Sequence, residues 1–145
     1  MFTKRCRDLA TKAALLQFLA STTVTAACLC TYIPATLVEV LDGNTIILEV
    51  EGKAKKVHLA GIDIPKLNQN STENWCESEG LKAQEAIEHI NTLLNNAKEI
   101  SLVEEPSTGS GDIFAVVYVD NVSLGQELLY QNLAIESGEP TPWCD

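Results

Sequence analysis

Beyond Arg7 the chain contains no arginine, and among its 145 residues there are only two histidines. Arginine is the usual two-pronged clamp for phosphate, and it stays charged under all ordinary conditions. Residues 39–145 carry six lysines against 19 acids, a net charge of −13, while the first 38 residues are net positive. A field of that sign repels a polyanion and slows its approach. Nucleic acid is therefore not an expected partner on bulk electrostatics. His58 and His89 have no Cys or His at metal-ligand spacing, so neither is expected to hold a metal or to carry catalysis. A third absence falls near the start. From Ala13 to Val38, "AALLQFLASTTVTAACLCTYIPATLV", there is no charged residue.

That uncharged run follows a basic flank of Lys4, Arg5, Arg7 and Lys12. Three readings fit it. One is a cleaved secretory signal, with "VTA" or "TAA" as the small-residue cleavage site. A second is an uncleaved anchor, since the run exceeds the roughly 20 residues that span a bilayer. A third is an organellar presequence merging into an anchor. "TAAC", ending at Cys28, also loosely resembles a bacterial lipobox. Residues 1–36 are thus expected to form a basic N-terminus plus a hydrophobic helix, with residues 13–33 in a membrane if uncleaved. The positive flank would hold the N-terminus on the cytoplasmic or matrix side. Residues 37–145 would then lie across the membrane as an acidic domain.

The body alternates short strand patterns with turn signals. "LVEVLDGNTIILEV", residues 37–50, reads as strand, tight turn, strand. "EGKAKK" reads as the next turn and would carry the lysine cluster Lys53, Lys55 and Lys56. "VHLAGIDI" is a third strand ending before Pro65, and residues 66–77 are a polar loop. Apolar positions 83, 86, 87, 90 and 94 recur at helical spacing between Ser78 and Asn95. "EISLVEE" and "IFAVVYVD" give two more strands around the loop "PSTGSGD". "NVSLGQELLYQNLA" gives a turn and a short helix that places Leu124, Leu128, Leu129 and Leu133 inward. Hairpin-length links among the first three strands favour a small barrel over a βαβ sheet, and so an α+β fold.

Several of these segments together resemble one family. "VLDGNTI" is similar to V-x-D-G-D-T. "VHLAGIDIP" is similar to V-R-L-x-G-I-D-x-P-E. "FAVVYVDNVSLGQELLYQNLA" is similar to a strand, turn and helix ending in G-L-A. In that order and spacing, residues 37–138 resemble the staphylococcal-nuclease-like (thermonuclease) domain. The resemblance implies a five-stranded OB-fold barrel of that type, preceded here by the N-terminal hydrophobic helix. Short exported members carry one cysteine just before the helix and one near the end. The resemblance therefore suggests a Cys76–Cys144 disulfide in an oxidising compartment, with Trp75 and Trp143 covering it.

The family hydrolyses phosphodiesters using one Ca²⁺ held by carboxylates, a glutamate base and two arginines. Position by position, this chain departs from that set. A metal carboxylate is replaced by Asn44, which brings no charge. The acid of G-I-D-x-P is kept as Asp63. The base position holds Lys66, which is protonated near neutral pH and so cannot accept a proton. One arginine position holds His58, and the other falls on or near Asp112, a reversal of charge. Ca²⁺ binds several anionic oxygens, so no cofactor is expected, and Ca²⁺ enters only if an active nuclease has rearranged its site. Glu73, Glu77 and Glu79 are available for such a rearrangement, but acids at a helix start are favoured there for its own stability. The expectation is a domain that has lost most of its nuclease residues. It would serve as an interaction module or accessory subunit of a membrane-associated assembly. The alternative is a Ca²⁺-dependent phosphodiesterase, and ligand binding in the barrel groove is a third possibility with no residue to support it.

Overall fold

A computed structural model describes residues 31–68, 75–106 and 111–144. The expected hydrophobic helix and cleavage site fall within residues 1–30, which with Glu73 lie outside the described residues. Among the described residues no helix is long and apolar enough to cross a membrane.

Five strands carry the architecture: β1 (Ile33–Val40), β2 (Thr45–Val50), β3 (Lys53–Leu59), β5 (Ile100–Glu104) and β6 (Ile113–Val119). β1 pairs antiparallel with both β2 and β5, β2 with β3, and β5 with β6. Parallel pairing of Val57–Leu59 in β3 with Ile113–Ala115 in β6 closes the ring. The result is a closed OB-like barrel with two helices, α1 (Glu77–Asn96) and α2 (Leu124–Tyr130). Three two-residue strands complete it: β4 (Ile62–Asp63), β7 (Val122–Ser123) and β8 (Ile135–Glu136). β4 pairs with β8, outside the barrel sheet.

The strands follow the period-2 rule. Ile46, Leu48 and Val50 of β2, Val57 and Leu59 of β3, and Ala115, Val117 and Val119 of β6 all point inward and are buried. The α1 stripe of Ala83, Ala86, Ile90 and Leu94 is buried as its spacing requires, with Ile87 half-buried beside it. Leu124 and Leu128 of α2 and Leu133 after it join the same core, and Leu129 packs against it half-buried. Each buried Leu or Ile contributes roughly 1.5–3 kcal/mol.

Three details differ from the sequence reading. β1 opens at Ile33 rather than residue 37, because Ile33, Pro34 and Ala35 find partners in Leu102, Ser101 and Ile100 of β5. That pairing is long-range and leaves no local signal. The β2–β3 turn is only two residues, Glu51 and Gly52, both at positive φ. This is the geometry whose twist matches a hairpin. Lys53, Lys55 and Lys56 therefore lie along β3 rather than in the turn. The third strand is also broken at Gly61, which has φ of +79°, so Ile62 and Asp63 leave the barrel to meet β8.

Candidate functional site: a cleft at the barrel rim

The cleft of about 390 Å³ at the barrel rim is lined by Asn44, the strand-to-loop stretch from Leu59 to Asp63, Glu105, Phe114 and Ser137. The β1–β2 turn builds one side of it. The Asn44 amide donates to Asp42 Oδ1 at 2.8 Å, a side-chain-stabilised turn. Gly43 presses this turn onto Ile64, where a Cβ would meet Ile64 Cγ2 at 2.5 Å. Leu59 N–H donates to Asn44 O at 2.9 Å and ties the turn to the end of β3. Asn44 Oδ1 is buried without a hydrogen-bond partner.

Asp63, the acid that the resemblance places at a metal position, is turned toward the C-terminal tail. Ser137 Oγ donates to Asp63 Oδ1 at 3.4 Å, and Gly138 N–H donates to Oδ2 at 3.2 Å. β8 delivers both donors by pairing with β4, with Ile135 opposite Asp63. Both carboxylate oxygens are thereby engaged within the chain.

His58 and Asp112 meet beside the cleft. β3 and β6 lie side by side there, with His58 opposite Phe114 in register and the rings stacked at 5.0 Å. His58 Nε2 donates to Asp112 Oδ2 at 3.0 Å, and Nδ1 lies 3.3 Å from the Thr45 hydroxyl. A carboxylate can only accept, so it fixes the ring hydrogen on Nε2. Lys56 Nζ stands 3.8 Å from the same carboxylate oxygen. The His58 hydrogen bond holds the Asp112 carboxyl below its ordinary value; partial desolvation opposes this, and the Lys56 charge adds to it.

Lys66 sits apart from these groups, in a loop held from behind. Its backbone N–H donates to Glu79 Oε1 at 2.9 Å, and its carbonyl accepts from Trp75 Nε1 at 2.8 Å. Glu79 is 8% exposed and Glu77 is exposed, so the expected helix-start role divides. Glu77 stays at the surface of the first turn, while Glu79 turns inward to anchor the Lys66 loop. Cys76 caps α1 without a side-chain cap bond and is bridged to Cys144, with Cα atoms 5.7 Å apart. Trp75 does more than flank the bridge, because its ring lies on Gly80 while its N–H clasps the loop.

The structure thus brings Asn44 and Asp63 to one cleft, pairs His58 with Asp112 at its edge, and holds Lys66 through Glu79. Nothing in the sequence marks Ser137, Gly138 or Glu105 as cleft residues; Glu79, a candidate for a rearranged site, instead holds the Lys66 loop. Phe114 alone had a signal, since it opposes His58 once β3 and β6 are paired.

A Ca²⁺ ion, which the family resemblance implies, does not fit this donor set. Asn44 is neutral, both Asp63 oxygens serve the tail, and Glu105 is exposed on the rim. Ca²⁺ takes roughly six to eight oxygens, several of them anionic. Among the described residues, Cys76, Glu79 and Cys144 form a cluster of metal-type ligands, but its two sulfurs are bonded to each other. Compared with known proteins, the chain matches no family model and no curated protein.

Proposed function

We propose that this chain is a staphylococcal-nuclease-like OB domain that no longer cleaves phosphodiesters, and that it acts as an interaction module or accessory subunit of a membrane-associated assembly. The observation that carries this reading is the His58–Asp112 pair. A catalytic phosphate clamp needs two permanent cations aimed at the anion. Here one position offers an imidazole and the other a carboxylate that the imidazole itself binds. A carboxylate there opposes the substrate rather than merely failing to help it. Lost transition-state donors cost about 10²–10³-fold each, and the base position is filled by a lysine.

The engagement of Asp63 by Ser137 and Gly138 supports the same reading. So does the body charge of −13, which suits a partner with a basic face. The Cys76–Cys144 bridge fits an oxidising compartment, and the uncharged N-terminal run would tether or export the domain there.

Digestion of single-stranded DNA and RNA by the full chain, with and without Ca²⁺, tests the proposal. No metal-dependent product is expected. Ca²⁺-dependent cleavage that disappears in Asp63→Ala would establish the alternative, a phosphodiesterase with a rearranged site.

A further inference from the structure

We propose that the Cys76–Cys144 bridge is a site of thiol–disulfide exchange for a dithiol reductant, attacked at Cys144, and that exchange releases the C-terminal tail from the cleft. This regulation rests on the proposed reading of the chain as an interaction module, whose rim the tail would cover or uncover.

The two sulfurs are not equivalent. Cys144 is exposed and Cys76 is half-buried. Cys76 occupies the N-cap of a 20-residue helix, where unpaired N–H groups and the helix dipole stabilise negative charge. Ser78 Oγ lies 3.1 Å from Cys76 Sγ but donates its hydrogen to Trp143 O at 2.7 Å. If the tail leaves, that carbonyl leaves with it, and the hydroxyl can turn to a thiolate on Cys76. A carboxylate oxygen of Glu79 lies within 4.8 Å of both sulfurs. At Cys76 the helix N-terminus offsets it, while Cys144 lies off the helix with Glu79 Oε2 3.7 Å from its sulfur. A carboxylate there disfavours a departing thiolate. The better leaving group is therefore Cys76, and the accessible target is Cys144.

The reductant's first thiolate attacks Cys144 Sγ, the bridge breaks, and its electron pair departs on Cys76 as a thiolate. The reductant's second thiolate then attacks its own sulfur in the mixed disulfide and expels Cys144 as a thiolate. The reductant ends as a disulfide, and its two protons go to Cys76 and Cys144.

The tail beyond Ile135 has little else to hold it. Residues 136–142 are exposed, and Trp143 is half-buried. Among the described residues its ties include the short β4–β8 pairing, Ser137 N–H to Gly61 O at 3.1 Å, the two bonds to Asp63, and Ser78 to Trp143. Segments with so few buried contacts open at low free-energy cost. Release would strip Asp63 of both donors and leave its carboxylate facing the cleft with Asn44 and Glu105. The five strands of the barrel pair without the tail. The bridge closes a loop that contains β5 and β6, so its loss lowers the overall stability but removes no strand pairing.

The test has two readings on the full chain. First, glutathione is added and the mixed disulfide is located by peptide mass spectrometry. The adduct is expected on Cys144 with Cys76 free, and an adduct on Cys76 overturns the assignment. Second, amide exchange is followed before and after treatment with dithiothreitol. The Ser137 and Gly138 amides should exchange roughly tenfold faster or more, and remain far faster than Leu48 and Leu102, whose protection falls only with the overall stability lost with the bridge. Cys144→Ser should show the same fast exchange without reductant. Unchanged Ser137 and Gly138 amides overturn the latch. Exchange at Leu48 and Leu102 as fast as at Ser137 and Gly138 overturns it too, because the fold would then open as one unit. Neither failure touches the non-catalytic reading, which the digestion assay decides separately.

Discussion

The barrel wall and the rim around Asp63 are held by different kinds of force. The wall is a ladder of strands around Ile46, Leu48, Val57, Leu102 and Val117, each at most 1% exposed. Its stability scales with apolar area and is spread over many residues. The rim rests on a few directional contacts: Gly138 and Ser137 on Asp63, Glu79 on the Lys66 amide, Ser78 on Trp143, and one covalent bridge. Remove one of the hydrogen bonds and a local segment is freed while the wall keeps its packing. The bridge differs, because it also restricts the unfolded chain and so supports the whole fold. A fold of this kind can lose or change the chemistry of its rim while its wall stays intact.

Variants in the wall should have the largest effect. Leu48→Ala or Ile90→Ala should cost about 2–5 kcal/mol, because each empties a fully buried position. Urea unfolding checks this, and a cost below that of a surface variant would mean that the wall is not the main support.

A smaller and local effect belongs to Glu79→Ala. It removes the acceptor of the Lys66 N–H, at a cost of about 1–3 kcal/mol. Amide exchange should quicken at Lys66 and not at Leu102. Equal changes at both would erase the distinction between rim and wall.

The smallest effect is electrostatic. The folded Asp112 carboxyl titrates below its ordinary value, chiefly through its His58 hydrogen bond. A lowered folded value means that the pair's contribution is in place above the ordinary carboxylate range. It is lost as pH falls through the lowered value. In His58→Ala the Asp112 carboxyl, followed by carbon NMR, should titrate at higher pH than in the native chain. An unmoved titration would show that His58 does not hold it.

The same division governs what the sequence disclosed. Alternating apolar positions in β2 and β6 and the 83, 86, 90, 94 stripe of α1 announce the wall, because burial imposes a period on the chain. The Cys76–Cys144 bridge came through family resemblance rather than through any period, and the structure contains it. The rim is written in contacts between distant residues, such as Asp63 with Gly138 and Lys66 with Glu79. A side chain accepting from a far backbone leaves no pattern in the residues around it. Glu79 illustrates this well. In sequence it is one more acid in the first turn of a helix, and in the fold it is a buried anchor. Asp112 stands in the sequence as an acid on or near a position where the resemblance implies an arginine, but its pairing with His58 required the register of β3 against β6.

The central claim is that the charges at this cleft exclude a phosphodiester. Fluorescence anisotropy of a labelled single-stranded oligodeoxynucleotide, titrated with the full chain at low ionic strength in Ca²⁺, tests it most directly, because low salt favours any electrostatic binding. The account predicts no saturable binding. Saturable, Ca²⁺-dependent binding that is lost in Asp63→Ala would contradict it.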